Sequence, residues 1–492
     1  GMQLSDRLRG WATKGPRPEG AVGVLETAQS LLSAGKAGDV PAAEWHRYLD
    51  LTRRPAFLQA LPDREARHAW ADTTFEVIPH SGYDLQALLD QRVAEHPERV
   101  LFREFGGPDA RAWGYEEVAR RLRLLAATFV ATAGEEPRVA ILAGNSLEGA
   151  CCDLACLTYG ILVTPLSPHL NPEALGWILS TLDINVVVTE TEEQRANLEA
   201  ALAHVEKSPE ILLLNSESRL RRDDESHLAE AVGRLGADEA DRILSGRPRP
   251  DLHARATVMF TSGSTGMPKG VCFSLFNLIS KRFARAAALP EVGDEEVLFS
   301  YLPLFHTFGR YLEMMGMLFW GGTYVFAGNP SLESLLAGLA EVRPTGMISI
   351  PHRWQQIRER ALAAMAAGDE AEAREKAFRE IVGDRLRWGL SAAGRLEPAA
   401  FRFFNRHGVA LNSGFGMTEA TGGITMTPPG EYEDDSVGIP LPGVTARLSE
   451  VGELQVQGPY VARYLDDPPD PEEGYWLKTG DIFQQRPSGH FE

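Results

Sequence analysis

Residues 257–271 read TVMFTSGSTGMPKGV. The apolar run at 256–260 reads as a buried strand. It feeds directly into Thr261-Ser262-Gly263-Ser264-Thr265-Gly266 and then Met267-Pro268-Lys269-Gly270. Gly263 and Gly266 allow a backbone to approach a ligand closely and to turn its amides outward. The hydroxyls of Thr261, Ser262, Ser264 and Thr265, with the Lys269 ammonium, supply donors for phosphate oxygens. Pro268 stiffens the loop just ahead of the cation. A Walker A loop needs Gly before its Lys and Ser or Thr after it. Pro268 and Gly270 hold those places, which excludes a P-loop kinase or ATPase. A plain surface turn would not concentrate hydroxyls, glycines and a Lys so densely behind a strand.

Outward from this loop, apolar runs at 138–143, 161–164, 186–189, 211–214, 297–301, 323–326 and 346–350 read as strands. Helical spacing fills the stretches between them, as after Leu147. Strands alternating with helices predict parallel sheets with helices on their faces, an α/β fold. Residues 1–80 lean to helix, with apolar residues at helical spacing over 21–34 and 42–60. Residues 216–250 read as a polar surface segment, and 361–379 as an exposed Ala/Glu-rich helical insertion. After about 428 short alternating strands between Gly and Pro turns, as at 446–448 and 453–456, read as a small β-rich unit. The division expected is a helical extension over 1–80, an α/β part over 81–430, and a β-rich subdomain over 431–492.

The chain has 492 residues, 68 of them acidic and 49 basic, for a net charge of −19. Such a balance argues against general nucleic-acid binding and against anionic membrane surfaces. Four cysteines in this length make no disulfide framework. Cys151, Cys152 and Cys156 match no zinc spacing and read as small buried helical side chains. The most apolar stretch, 149–166, is interrupted by Asp153 and closed by Pro165 and Pro168. It predicts a buried helix and then a strand, not a membrane span. Gly1 before Met2 reads as a remnant of tag cleavage, and no secretory signal follows. A reducing, cytoplasmic location is expected.

Blocks spread along the chain together resemble the acyl-adenylate-forming (AMP-binding) enzymes, with the long-chain fatty acyl-CoA synthetases the nearest branch. The first is TSGSTGMPKG, the family's signature loop. The second, YLPLFHTFGR at 301–310, resembles the segment whose His borders the acyl pocket, here His306. GMISIPHRWQQI at 346–357 and the insertion after it look like the long-chain branch. LSAAGRL at 390–396 lies where the family has a Gly-rich turn against adenine. Ala392 and Ala393 stand in place of the commoner glycines, with Gly394 following. LNSGFGMTEATGG at 411–423 matches the block that carries adenine, α-phosphate and metal contacts. Its candidate residues are Ser413, Gly414, Phe415, Gly416, Met417, Thr418 and Glu419. Phe415, in place of the usual Tyr, keeps a stacking face and loses a hydroxyl. YWLKTGDIF at 475–483 contributes Asp481 as the acceptor for ribose hydroxyls.

The resemblance covers roughly residues 80–492. It implies the large N-terminal part of that family: two α/β subdomains in an αβαβα sandwich plus a small distorted β-barrel. It implies ATP-dependent ligation of a carboxylic acid, medium- to long-chain fatty acids preferred, to coenzyme A through an acyl-adenylate. Lys269, Thr418 and Glu419 would be catalytic, with Glu419 near Mg2+. Thr261 to Gly266, Ala392 to Gly394, Ser413 to Thr418 and Asp481 would bind the nucleotide. Transfer to a carrier-protein phosphopantetheine and non-catalytic binding remain as alternatives. Members of the family continue into a mobile C-terminal domain that carries a further Lys and Arg. The chain is expected to be shortened before that domain, and impaired on its own.

Overall fold

The helix Leu147–Tyr159 shows how this sequence builds its layers. Ser146 caps it, its side chain accepting from the Gly149 amide, and Gly160 ends it at φ +72. Only glycine takes that conformation freely, so the chain turns at once into the strand Leu162–Pro165. This strand pairs in parallel with Arg138–Leu142, the helix covering the crossover. A computed structural model of the chain describes residues 2–214, 226–261, 266–468 and 474–492.

Two large sheets result. In the eight-stranded sheet the order is Arg463–Tyr464, Lys269–Ser274, Arg255–Thr261, Leu162–Pro165, Arg138–Leu142, Val186–Thr189, Glu210–Leu213 and Ser226–His227. Its core pairs are parallel, but Arg255–Thr261 and Lys269–Ser274 are antiparallel, with Thr261 opposite Lys269. Thr261 and Lys269, the two ends of the hydroxyl-rich stretch, therefore face each other across a strand pair. In the seven-stranded sheet the order is Ala410–Asn412, Trp388–Ser391, Gly346–Ser349, Val297–Ser300, Thr323–Phe326, Val100–Glu104 and Ala112–Gly114. All its pairs are parallel except the last. The α/β expectation is met.

The C-terminal β-rich part forms two three-stranded antiparallel sheets, not a closed barrel. One orders Gly414–Met417, Gly422–Met426 and Ile439–Pro440; the other orders Thr445–Leu448, Glu453–Gln457 and Leu477–Ile482. The Arg463–Tyr464 strand leaves this region to pair with Lys269–Ser274, Tyr464 opposite Val271. It fastens the β-rich part beside the loop.

Several local readings change once packing is visible. The expected helix over 42–60 is two, Ala42–Thr52 and Pro55–Ala60, because Pro55 cannot continue the first. The "exposed" insertion is a packed helical pair, Pro351–Met365 and Ala371–Val382. It buries Ala361, Met365, Phe378 and Val382 against the seven-stranded sheet's second core. Within 216–250, residues 216–225 lie outside the described part, and the remainder holds the helices Leu228–Leu235 and Ala237–Ser245. The N-terminal helices share the main core. Trp45 and Trp70 are fully buried, and the Trp70 ring lies 5.9 Å from that of Phe283 on the helix Leu275–Ala288. Cys151, Cys152 and Cys156 are buried, and burial raises their thiol pKa values. Among the described residues no helix is long and apolar enough to cross a membrane.

Candidate active site

A cavity of about 580 Å³ opens between the strand ends of the seven-stranded sheet, Arg285 on the helix Leu275–Ala288, and the sheet holding Gly414–Met417 and Gly422–Met426. Three sequence-distant blocks line it: Leu302 to Phe308 with His306, the turn Ser391 to Gly394, and Gly414 to Thr418. Each is held for a local reason. The turn follows directly from the buried strand Trp388–Ser391, and Ala393 adopts φ +60 and Gly394 φ +139. Ala393 pays for a left-handed conformation that glycine would take without strain. Phe415 lies opposite Thr425 on the antiparallel partner strand, and its ring packs 4.8 Å from that of Phe483. Gly416 approaches so closely that a Cβ there would fall 2.3 Å from the Gly422 carbonyl oxygen.

The His306 block is clamped from behind. Asn145 donates to the Leu302 carbonyl at 2.8 Å and accepts from the Leu304 amide at 3.0 Å. The following turn is a π-helix, Phe308–Met315, an arrangement that clusters at functional sites. Arg310 within it forms a buried two-pronged pair with Asp153, at 2.8 and 2.6 Å. The Asp153 that breaks the apolar helix is thus the counter-ion fixing this block. His306 stands at the cavity rim, exposed on one side, and desolvation of its covered side lowers its pKa. It is neutral at neutral pH.

Lys269 begins its strand with its side chain exposed. Its ammonium lies 3.6 Å from the centroid of the Tyr464 ring, and no described residue forms an ion pair with it. The Tyr464 hydroxyl donates to Glu419 Oε2 at 2.6 Å. Glu419 follows Thr418 in a short 3-10 turn, and Thr421 closes that turn at φ +57. Positive φ at a β-branched residue is an outlier. Thr421 is held there by a 2.6 Å hydrogen bond from Oγ1 to the Tyr460 carbonyl. One Glu419 oxygen is engaged by Tyr464, while Oε1 accepts no hydrogen bond from a described residue. A single part-free carboxylate beside a Thr hydroxyl suits Mg2+, which takes few protein ligands and keeps waters and phosphate oxygens.

Not every expected residue reaches the cavity. Ser262, Gly263, Ser264 and Thr265 lie outside the described residues. Thr261 and Gly266 flank them, Gly266 at φ +89. Ser413 is tied by its backbone to Thr427, at 2.9 and 2.8 Å, and is not in the wall. Asp481 is exposed on the strand Leu477–Ile482, two residues before Phe483. Three residues absent from the sequence reading stand at the site: Tyr464, Thr425 and Arg285. Tyr464 had no local signal, because a distant strand pairing brings it in. Lys281 and Arg285 sit one helical turn apart on a helix that also carries Arg282 and no acidic residue, a pattern that could have flagged a charged inner face.

A family model described as AMP-binding enzyme matches residues 89–464. A long-chain-fatty-acid–CoA ligase of Mus musculus is 28% identical over 437 residues, 76% of this chain and 61% of the relative. The chain thus spans about 61% of that relative's length. An anthranilate–CoA ligase of Pseudomonas aeruginosa is 28% identical over 418 residues, 80% of this chain and 74% of the relative. Among solved structures, a long-chain-fatty-acid–CoA ligase of Archaeoglobus fulgidus superposes with a TM-score of 0.67 at 17% identity, covering 83% of each chain. With Thr261 and Lys269 paired and the matching blocks around one cavity, the chain belongs to the AMP-binding enzyme family.

Proposed function

We propose that the chain carries the adenylate-forming site of a ligase that activates a carboxylic acid with ATP and passes the acyl group to coenzyme A. The observation that carries this reading is the single cavity shared by His306, the Ala392–Gly394 turn and Gly414 to Thr418. Adenine would lie between Phe415 and that turn. The ribose would reach toward Asp481, with Ser413 near the adenine amino group. An acid oxygen attacks the α-phosphorus, the bond to the bridging oxygen breaks, and pyrophosphate leaves. A thiolate then attacks the acyl carbonyl and AMP departs. The first step joins two anions, so positioning and charge neutralisation supply most of the catalysis. Lys269, exposed at the start of its strand, would meet phosphate oxygens together with Thr261 and the loop hydroxyls. Thr418 would donate to the α-phosphate. Mg2+ held at Glu419 would neutralise phosphate charge when bound.

Medium- or long-chain fatty acids are supported by the mouse relative, while the Pseudomonas relative is named for an aromatic acid. Calorimetry with AMP and ATP tests the nucleotide half. Saturable binding of both is expected, and no binding of either would remove the reading. Mass spectrometry of products formed with free coenzyme A, and separately with a phosphopantetheinylated carrier protein, identifies the acceptor.

A further inference from the structure

Lys281, Arg282 and Arg285 lie on one helix, Leu275–Ala288, and all are buried. No carboxylate is among the charges acting on any of them. Two have other partners. Lys281 Nζ donates to the carbonyls of Ala420, at 3.1 Å, and Gly423, and lies 3.9 Å from the Tyr460 ring centroid. Arg282 donates to the carbonyls of Leu278, at 3.4 Å, and Tyr311. Arg285 has neither arrangement. Its one hydrogen bond to a described residue runs from Nη1 to the Met426 sulfur at 3.6 Å, a weak acceptor, and its Nε has no partner.

This guanidinium is 2% exposed and lines the cavity beside Gly423 and Thr425. A Cβ on Gly423 would fall 2.2 Å from Arg285 Nη2, so the guanidinium fills the space that a side chain would need. Thr425, beyond a register shift in the same strand, also lines the cavity. Its hydroxyl is buried without a partner. A Cβ on Gly422 would lie 3.4 Å from Thr307 Oγ1. That places this corner beside the His306 block. The cavity wall includes the apolar Leu302, Phe308 and Ile350. Burial lowers the Arg285 pKa to about 10, so it stays cationic at neutral pH. A dehydrated cation with unmet donors is costly until an anion completes it. The planar fork of a guanidinium matches a carboxylate through two parallel hydrogen bonds.

We propose that Arg285 receives a second carboxylate on the acid, so that the preferred substrate is a dicarboxylic acid activated at one end. The proposal rests on the adenylation reading above. The distal carboxylate stays ionised at Arg285 and takes no part in bond making. A plain fatty acid would set a methyl group there and leave the cation unmet.

The test uses AMP and two series of non-hydrolysable acyl-sulfamoyl adenosines, in calorimetry on the whole chain. One series runs from succinyl to sebacoyl, and the other holds the methyl-ended chains of equal length. At its best length the carboxylate-ended probe should bind about tenfold or more tighter than its methyl-ended partner. Arg285→Met should erase that preference and Arg285→Lys should retain part of it, with AMP titrated into each variant as a check that the adenine wall is folded. Equal binding at every length, tighter binding of the methyl-ended series, or an undiminished preference in Arg285→Met overturns the proposal. The wild-type comparison stands even if a variant fails to fold. Binding of AMP with no gain from either series defeats this proposal alone. No binding of AMP defeats the adenylation reading, and this one with it.

Discussion

Two sets of cations stand one strand apart and are treated in opposite ways. Lys269, at the start of the strand Lys269–Ser274, is exposed, and among the described residues its ammonium meets the face of a Tyr ring and no carboxylate. Lys281, Arg282 and Arg285, on the helix that follows that strand, are buried without a carboxylate nearby. An exposed cation is hydrated when no ligand is present, so it can hold and release phosphates at little cost. A buried one has lost its water and is satisfied by the protein or by a bound anion. The first arrangement suits a ligand that comes and goes. In the second, Lys281 and Arg282 are met by carbonyls and shape a wall, while Arg285 is left for the substrate's carboxylate.

The contrast predicts where each substitution acts. Lys269→Met should weaken ATP binding about ten- to hundredfold, the worth of a charged hydrogen bond. AMP binding should change far less, and folding stability by under about 0.5 kcal/mol. Calorimetry with both nucleotides and a urea titration read all three. Unchanged ATP affinity would take Lys269 away from the phosphates. Lys281→Met should do the reverse. It leaves the Ala420 and Gly423 carbonyls without their donor, and should destabilise the fold by about 2 kcal/mol in urea. A variant as stable as the wild type would mean that the buried row contributes nothing to the fold.

The same contrast marks what the sequence could reveal. Lys269 was legible because its neighbours, from Thr261 to Gly270, form a dense local pattern. The strand at 186–189 was legible residue for residue because an all-β-branched run buried on both faces has no other reading. The clustering of Ala392–Gly394, Gly414–Thr418 and His306 was reached only through resemblance, since no local spacing relates them. Arg285 was not reached, because cations on a helix read as its solvent face. That helix is buried along most of its length, against the helix Arg64–Ser81 among others, and so its cations lie inward. The buried side of the insertion helices was not read for a related reason. Ala and Glu dominate them, while the few apolar residues, Phe378 and Val382, do the burying.

Smaller effects sharpen the comparison. Phe415→Ala should weaken AMP binding several-fold, since aromatic stacking contributes about 1 kcal/mol, and Phe415→Tyr should be tolerated. Equal AMP affinity for Ala and Phe would remove the ring from the adenine wall. Glu313 is the buried acid behind the His306 block, and it pairs with no cation. Ser300 donates to one of its oxygens, the other has no partner, and desolvation raises its pKa well above the usual value. The folded state therefore keeps a proton that the unfolded chain gives up. Stability attached to this group is present at acid pH and falls as pH rises above the ordinary carboxyl range toward the raised value. Glu313→Gln should flatten that decline in denaturation measured across pH 5 to 8. A decline of unchanged slope would mean that Glu313 is ionised and has a counter-charge.

The smallest expected change is at the adenine turn. Ala393 holds φ +60 with its side chain exposed, in a turn where Gly394 already supplies φ +139. An alanine in the left-handed region costs about 1 kcal/mol or somewhat more relative to a residue without a Cβ. Glycine would remove that strain but would add freedom to the unfolded chain, which offsets part of the gain. Ala393→Gly should therefore stabilise by about 0.5 kcal/mol in urea. Removing one methyl from an exposed position leaves the Phe415 face untouched, so AMP affinity should move by less than about twofold. The two readouts separate strain from recognition. Loss of stability in Ala393→Gly with unchanged AMP binding would show that the turn is held by its flanking strands and not limited by its own backbone. A large loss of AMP affinity at unchanged stability would instead make the Ala393 methyl part of the surface on which adenine lies.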